Sequence, residues 1–355
     1  MKAEDSLHFQ FGDFASSVKF STSVEPARFS SAAGVILVFD RNTQKLFPPA
    51  GMAVHRQVVL PPGEGSKSWS GAQRILQRAL ETGLGRDGLI VGVGGGMICD
   101  LSAFSASLFM RGIRLFLVPT SLLAMVDAAI GGKTAINLGG YKNMAGTFYP
   151  AEQIWIDVSV LKNLSDKEFI SGIGEAIKTA LLGDKTLLGI FLEQKDRVLA
   201  RDPGVMEEIV RRCIALKGGI VEEDFKETGK RAFLNLGHTF AHALEAETGF
   251  KPWNHGQAVA WGLFQAAALS ETIGLAESSY VAMVGQVLRS YGFSLQTLKG
   301  VKPESILKAM QVDKKKRAGK LRLVLQRGIG DTVVTEVEEK LIVQTLRSSA
   351  RTFPL

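Results

Sequence analysis

Three of the five histidines, His238, His242 and His255, fall close together in the sequence. His238 and His242 are four apart, so a helix would set both on one face. Glu175 lies in the segment GEAIK (174–178), inside another stretch of helix-spaced apolar residues. Two neutral imidazoles and one carboxylate leave a coordination position open, which is the donor set of a catalytic zinc. A histidine pair on a helix also serves as a capped or core pair, and spacing leaves open which two of the three would bind. Lys178, Lys217, Arg231 and Lys314 recur in the same half of the chain, and Asn235 precedes His238 by about one helical turn. Cations around a metal suit a small polyanionic substrate, although most of the 42 lysines and arginines are ordinary surface charges.

A second group lies in the amino-terminal half. The run LIVGVGGGMICD (89–100) reads as a strand, a glycine turn and a helix start. Without Cβ atoms, the glycines of this turn let backbone amides approach a phosphate, and the helix end adds a favourable dipole. Met97 stands where a GxGxxG pattern needs its third glycine, so a plain tight βα turn fits as well. Asp40 closes the first predicted strand, where a carboxylate can accept from a ribose diol or simply cap a turn. Further on come PTSLLAMVD (119–127), IGGKT (130–134) and YKN (141–143). The glycines before Lys133 resemble half of a P-loop, at the wrong spacing for triphosphate hydrolysis. The plainer expectation is a polar, flexible loop bringing Asp127, Lys133, Lys142 and Asn143 to the carboxyl ends of strands, where open α/β sheets bind ligands.

Elements must hold these groups in place. Residues 35–39, 57–60, 89–93, 113–118 and 153–156 read as strands, being short, apolar and bounded by turn residues. Helix-spaced stretches at 66–82 and 97–109 alternate with them, which predicts a parallel sheet with helices on its faces. From about residue 165 the texture becomes helical, at 167–182, 205–223, 232–247, 256–272 and 278–291. Only 321–325 and 333–337 look like strands there. The expected division is an α/β domain over 1–162 and a mostly helical domain over 163–355.

Composition bounds the class. The 355 residues are 46% hydrophobic and 22% charged, which excludes wholesale disorder. Cys99 and Cys213 lie far apart and form no CxxC pair, so reduced buried thiols are expected. Glu4, Asp5 and Asp13 break up the amino-terminal segment, and no signal peptide is visible. The longest apolar stretch, 258–269, contains Gly262 and Gln265 and is too short to span a bilayer. A cytoplasmic protein with no membrane contact is the expectation. The net charge of +7 admits nucleic acid, acidic surfaces or small anions as partners. The basic run at 314–317 reads as a solvated loop, and no nucleic-acid-binding motif or aromatic interleaving is present.

Taken together, these segments resemble the 3-dehydroquinate synthases, within the sugar phosphate cyclases. The matching pieces are GGGMICD (94–100), MRG (110–112), PTSLLAMVDAAIGGK (119–133), KN (142–143), GEAIK (174–178), LNLGH (234–238) with His242, HG (255–256) and DKK (313–315). They run in the family's order through nearly the whole chain. The resemblance implies a Rossmann-like NAD-binding α/β domain, then a mostly helical metal domain, with the active site in the cleft between them and a homodimer as the usual assembly. It implies Glu175, His238 and His255 as ligands of zinc or cobalt, with His242 off the metal in proton transfer. Asp127, Lys133, Asn143, Lys178, Lys217, Arg231, Asn235 and Lys314 would surround an anionic sugar phosphate, and Arg111 would reach its phosphate, across the dimer interface in one version of the reading. For NAD the matches are Asp40, Asn42, Glu64, Lys67, Gly95, Gly96, Asp100, Thr120, Ser121 and Lys142.

Four positions depart from the family pattern: Ala128 where Ser is common, Asn163 where Thr is common, Tyr141 for Gly, and Gln257 for Glu. The implied activity converts 3-deoxy-D-arabino-heptulosonate 7-phosphate to 3-dehydroquinate and phosphate. A hydride leaves C5 for NAD, phosphate departs by β-elimination, the hydride returns, and an aldol step closes the ring. A sister cyclase acting on another sugar phosphate is the competing reading, and Lys217, Arg231 and Asn235 favour a substrate bearing a carboxylate. A polyol dehydrogenase shares the two-domain plan but would not need so many cations.

Overall fold

The apolar run that ends at Gly94 forms an interior strand of a seven-stranded sheet. The structure is a computed structural model that describes residues 6–21, 34–46, 56–249, 253–313 and 319–349. The chain divides into two units. One holds Met1–Leu164 and Lys217–Lys226, the other Ser165–Leu216 and Glu227–Leu355.

In the first unit, β1 (Ser6–Phe11) and β2 (Phe14–Phe20) form a hairpin. Then follow β3 (Val35–Asp40), α1 (Thr43–Leu46), β4 (Gln57–Leu60), α2 (Trp69–Glu81), β5 (Leu89–Gly94), α3 (Gly96–Leu108) and β6 (Arg114–Pro119). A second hairpin of β7 (Lys133–Leu138) and β8 (Tyr141–Phe148) precedes β9 (Gln153–Ile156). The sheet order is β1-β2-β9-β6-β5-β3-β4, and every neighbouring pair except β1–β2 is parallel. All residues of β3 and β5 are buried, as parallel strands covered on both faces require. From β3 the chain moves to β4 on one side, and from β5 to β6 on the other. The carboxyl ends of β3 and β5 therefore flank a topological switch point, where such sheets bind ligands.

Two expectations change here. The strand read as the first is the third, because β1 and β2 mix Ser, His, Gln and Lys with their apolar residues and give a weak alternation. The flexible loop expected around Lys133 and Asn143 is the β7–β8 hairpin. Its two-residue turn, Gly139 and Gly140, has φ of 60° and 83°, the mirror-image turn that glycine makes cheaply.

The second unit contains α4 (Asp166–Leu181), α5 (Lys185–Glu193), α6 (Lys195–Leu199), most of α7 (Pro203–Glu223), α8 (His238–Glu247), α9 (His255–Thr272), α10 (Ser278–Ser290) and α11 (Pro303–Asp313). A two-stranded ribbon of β10 (Lys320–Gly328) and β11 (Asp331–Glu338) precedes α12 (Glu339–Ser349). The single helix expected over 232–247 is interrupted. A 3₁₀ turn spans Lys230–Asn235, Gly237 takes φ 77°, and α8 starts at His238. α9 is buried along most of its length, with Trp261 and Phe264 fully enclosed.

The last turns of α7 belong to the first unit. Phe225 stacks against Phe11 at 6.2 Å and meets Phe148 edge-on at 5.5 Å, and the Gln10 amide donates to Glu222 Oε1 at 2.6 Å. Lys217 thus belongs with the sheet's unit, where the expected division after 162 puts it in the second domain. Cys99 and Cys213 are buried and form no disulfide. Among the described residues no helix is long and apolar enough to cross a membrane.

Candidate active site

Two clusters carry the candidate residues, one in each unit. In the helical unit, α9 decides the geometry. Asn254 and Gln257 cap it reciprocally, each amide donating to the other's side-chain oxygen at 3.0 Å. Gln257 does here what Glu would do, since either residue closes the box. Asn254 Nδ2 donates to Lys167 O at 2.9 Å, tying this end to α4. A Cβ on Gly256 would lie 2.0 Å from Ser171 O, and one on Gly174 would lie 2.6 Å from Gly256 O. Helices α4 and α9 therefore meet backbone to backbone, which sets Glu175 beside His255. A Cβ on Gly262 would lie 2.2 Å from Gly237 O, so the start of α8, and with it His238, is held against α9 in the same way.

As a result, one donor atom from each of Glu175, His238 and His255 lies within 4.8 Å of the others. Glu175 Oε1 is 3.4 Å from His238 Nε2 and 3.2 Å from His255 Nε2, and its Oε2 is 2.6 Å from Lys178 Nζ. Nδ1 of His238 faces Leu236 O at 3.2 Å, and Nδ1 of His255 faces Glu245 Oε1 at 3.4 Å. In the neutral ring, an acceptor on each Nδ1 selects the tautomer whose Nε2 lone pair is available to a metal. Burial alone would raise the Glu175 carboxyl, but Lys178 and the two imidazoles hold it well below the usual range. Burial and Lys178 lower His238. Burial opposes a charge on His255 too, yet Glu175 and Glu245 push it up to about 10. The donor set of one ionised carboxylate and two imidazoles fits a divalent cation. His242 is exposed, one turn beyond His238, with its ring 5.4 Å from that of His238 and 6.3 Å from that of His255.

In the α/β unit, the glycine turn ends β5. A Cβ on Gly94 would lie 2.6 Å from the Ile98 side chain, so packing forbids one. On Gly95 it would meet only Ser121 at 3.4 Å, and on Gly96 only the Ala128 methyl at 3.3 Å. The first amides of α3 lack partners within the helix and lie at the switch point, a ready anion cradle. The buried Lys67 places Nζ 2.5 Å from both Asp100 Oδ2 and Asn143 Oδ1. Asn143 takes φ 56°. Its amide donates to Asn137 Oδ1 at 3.0 Å, and Asn137 Nδ2 donates to Glu64 Oε1 at 2.9 Å. Burial pushes Asp100 up to about 6, with Lys67 pulling it down and Glu64 and Asp127 adding to the rise. In the wide helical turn Ala124–Ala128, Asp127 accepts from Lys217 Nζ through its backbone oxygen at 2.6 Å and Oδ1 at 2.7 Å.

The other predicted residues fall as follows. Asp40 Oδ1 accepts from the amides of Asn42 and Thr43 at 2.8 and 2.9 Å, so it caps α1 at the end of β3. The Thr120 amide donates to Gly94 O at 2.9 Å, and Ser121 Oγ accepts from the Ala124 amide at 3.3 Å. Lys133 and Lys142 lie exposed on the β7–β8 hairpin, and Arg111 lies in an exposed turn after α3 with φ 68°. Arg231 is buried in the turn before α8, and Asn235 Nδ2 donates to Glu227 Oε1 at 2.8 Å. Tyr141 pairs with Leu138 across the hairpin turn, and Asn163 is the exposed last residue of a 3₁₀ turn. Lys314 lies outside the described residues.

Sequence reasoning passed over three polar residues in these clusters. Glu245 follows His238 by seven positions, two helical turns on one face, and that spacing was the available signal. Asn137 precedes the Gly139-Gly140 turn, a hairpin signature that would have put it on a strand. Glu227 carried no signal.

Two family models match the chain in succession. Residues 57–171 match the family model described as 3-dehydroquinate synthase N-terminal, and residues 172–316 match 3-dehydroquinate synthase C-terminal. A protein of Acidithiobacillus ferrooxidans named 3-dehydroquinate synthase is 41% identical over 293 residues, 82% of this chain and 80% of its own. Among solved structures, a 2-deoxy-scyllo-inosose synthase complexed with carbaglucose-6-phosphate, NAD+ and Co2+ matches with a TM-score of 0.85 and 25% identity, over 97% of this chain and 99% of its own. A 2-epi-5-epi-valiolone synthase from Streptomyces hygroscopicus subsp. jinggangensis 5008, with NAD+ and Zn2+ bound, matches with a TM-score of 0.85 and 25% identity, over 94% and 96%.

Proposed function

The chain belongs to the 3-dehydroquinate synthase family, and we propose that it converts 3-deoxy-D-arabino-heptulosonate 7-phosphate to 3-dehydroquinate and phosphate. This is a carbon–oxygen lyase step of the shikimate pathway, toward aromatic amino acids. The observation that carries the reading is the convergence of Glu175, His238 and His255 beside the buried Lys178, in a chain so similar to a named synthase.

On this reading Glu175, His238 and His255 hold zinc or cobalt, and the glycine turn with Lys67 and Asp100 holds NAD. The two cyclases of known structure, each with NAD+ and one of these metals, support both assignments. When bound, NAD supplies a hydride acceptor that is restored within one turnover, and the metal supplies Lewis-acid polarisation. The chain's own groups do the rest. Lys178, Lys217, Arg231, Asn235 and Lys314 bind the substrate's carboxylate and phosphate, and much of the rate gain comes from the positioning they impose. Asp127 orients Lys217 through its 2.7 Å contact. His242 takes the proton of the reacting hydroxyl, and Lys133, Asn143 and Arg111 complete the anion-binding set.

We extend the reading to a homodimer in the cytoplasm. Leu138, Tyr141 and Met144 on the β7–β8 hairpin are exposed apolar residues that a second copy would cover, and sedimentation equilibrium tests this. The activity is tested by phosphate release from the heptulosonate phosphate with NAD and zinc, against glucose 6-phosphate and sedoheptulose 7-phosphate. Release from the heptulosonate alone is expected. Release from either of the others in its place would make the chain a sister cyclase.

A further inference from the structure

We propose that Glu245 is a positioning residue for the metal site, acting through His255 to set how tightly and how long the metal is held. The proposal rests on Glu175, His238 and His255 being the ligands. The two imidazoles are alike in presenting Nε2 to Glu175, but they are backed differently. His238 has a neutral backbone carbonyl, Leu236 O, on its Nδ1, and no side-chain substitution can remove it. His255 has the carboxylate of Glu245 there, at 3.4 Å. A carboxylate in that place fixes ring orientation and tautomer, and it raises the donor strength of the far nitrogen more than a carbonyl does.

The placement argues for use. Glu245 is buried, and an acidic side chain is costly to bury unless a charge or a donor compensates it. It stands on α8, two turns beyond His238 and on the same face, so one helix supplies a ligand and the group behind another ligand. His255 is the first residue of α9, where a ring has fewer neighbours to fix its rotation than it would in mid-helix. Glu245 supplies that restraint from the adjacent helix.

Full-length wild type, E245Q, E245A and H255A are stripped with a chelator, and Zn2+ is titrated in competition with a chromophoric chelator. Zinc release into excess chelator and the visible spectrum of the Co2+ form are recorded on the same proteins. Losing an outer-shell partner costs about 10–100-fold in metal affinity. E245Q keeps an acceptor without the charge and is expected near the lower figure, E245A near the upper, both with faster release and an altered Co2+ spectrum. Wild-type affinity and release in E245Q would overturn the proposal, also where E245Q destabilises the metal-free chain, since that is what a merely structural role produces. E245Q carries this decision even if E245A fails to fold. If H255A binds zinc like wild type, the ligand reading has failed, which is a different result from failure of Glu245 alone.

Discussion

The two clusters are built by opposite means. In the helical unit, Glu175, His238 and His255 project from three helices whose backbones touch at glycines. Moving one donor means moving a whole helix. In the α/β unit, Lys67, Asp100, Asn137 and Asn143 are gathered from turns, a helix start and a hairpin, and Asn143 sits in a left-handed conformation. A metal tolerates only small errors in donor placement, so it needs stiff supports. A long ligand gripped by many separate contacts can be held by loops on a rigid sheet. The difference teaches where substitutions should be all-or-none and where they should be graded.

The sharpest test is His255→Ala. Loss of a ligand should remove zinc and activity together, by about 10³-fold or more in rate, since metal polarisation is worth several kcal/mol. Metal analysis of the purified variant checks this, and stoichiometric zinc at wild-type affinity would sink the assignment. Next is His242→Ala, with near-stoichiometric zinc retained and turnover reduced by about 10²–10⁴-fold, the usual cost of a lost proton-transfer group. Single-turnover hydride transfer should slow in parallel. If this variant loses zinc while His255→Ala keeps it, the two histidines exchange roles.

A pair of glycine substitutions addresses the supports themselves. Gly256→Ala puts a methyl 2.0 Å from Ser171 O, and α9 must lift off α4. We expect about 1–3 kcal/mol of lost stability together with weakened zinc binding. Gly95→Ala meets only Ser121 at 3.4 Å, so stability should stay within about 0.5 kcal/mol. The narrowed cradle should still raise the Kd for NAD about tenfold, or ~1.4 kcal/mol. Equal effects on stability from the two variants would erase the contrast between the clusters.

The last effect is one of pH. Asp100 stands at about 6 against an ordinary 3.8, raised by burial and by Glu64 and Asp127 against the pull of Lys67. Between those values the folded chain holds a proton that the unfolded chain has released. This group's contribution to stability therefore falls as pH rises from about 4 to about 6, and is flat above. Urea unfolding should show wild type losing ground to Asp100→Asn across that window, by on the order of 1 kcal/mol per pH unit. A constant difference would mean that Asp100 titrates normally.

Legibility in the sequence divides along the same line. The buried run of β5 and the helices carrying Glu175 and His255 could be read because burial and a 3.6-residue period leave a pattern in one dimension. The family resemblance then separated His255 from His242, which spacing alone could not do. What stayed hidden depends on contacts between distant segments. Asn137 stays hidden because the apolar alternation of its strand is weak in the sequence, although Gly139 and Gly140 mark the turn beside it. Nothing near Gly256 signals that Ser171 O would meet its Cβ. Lys217 reads as part of the helical half because α7 is one continuous helix. The aromatic contact that draws its end to the sheet joins Phe225 to Phe11, near the other end of the first unit's chain.

That last feature reaches back to synthesis on the ribosome. The sheet's own strands are complete by Ile156, but Lys217–Lys226 belong to the same unit. Roughly 60 residues must be made after the last strand before this closing piece emerges, which takes several seconds at about 5–20 residues per second. During that interval Phe11, Phe14 and Phe148 lack the partner that Phe225 becomes. The nascent chain thus carries an uncovered aromatic face, and a chain cut at Leu164 would keep that face for good.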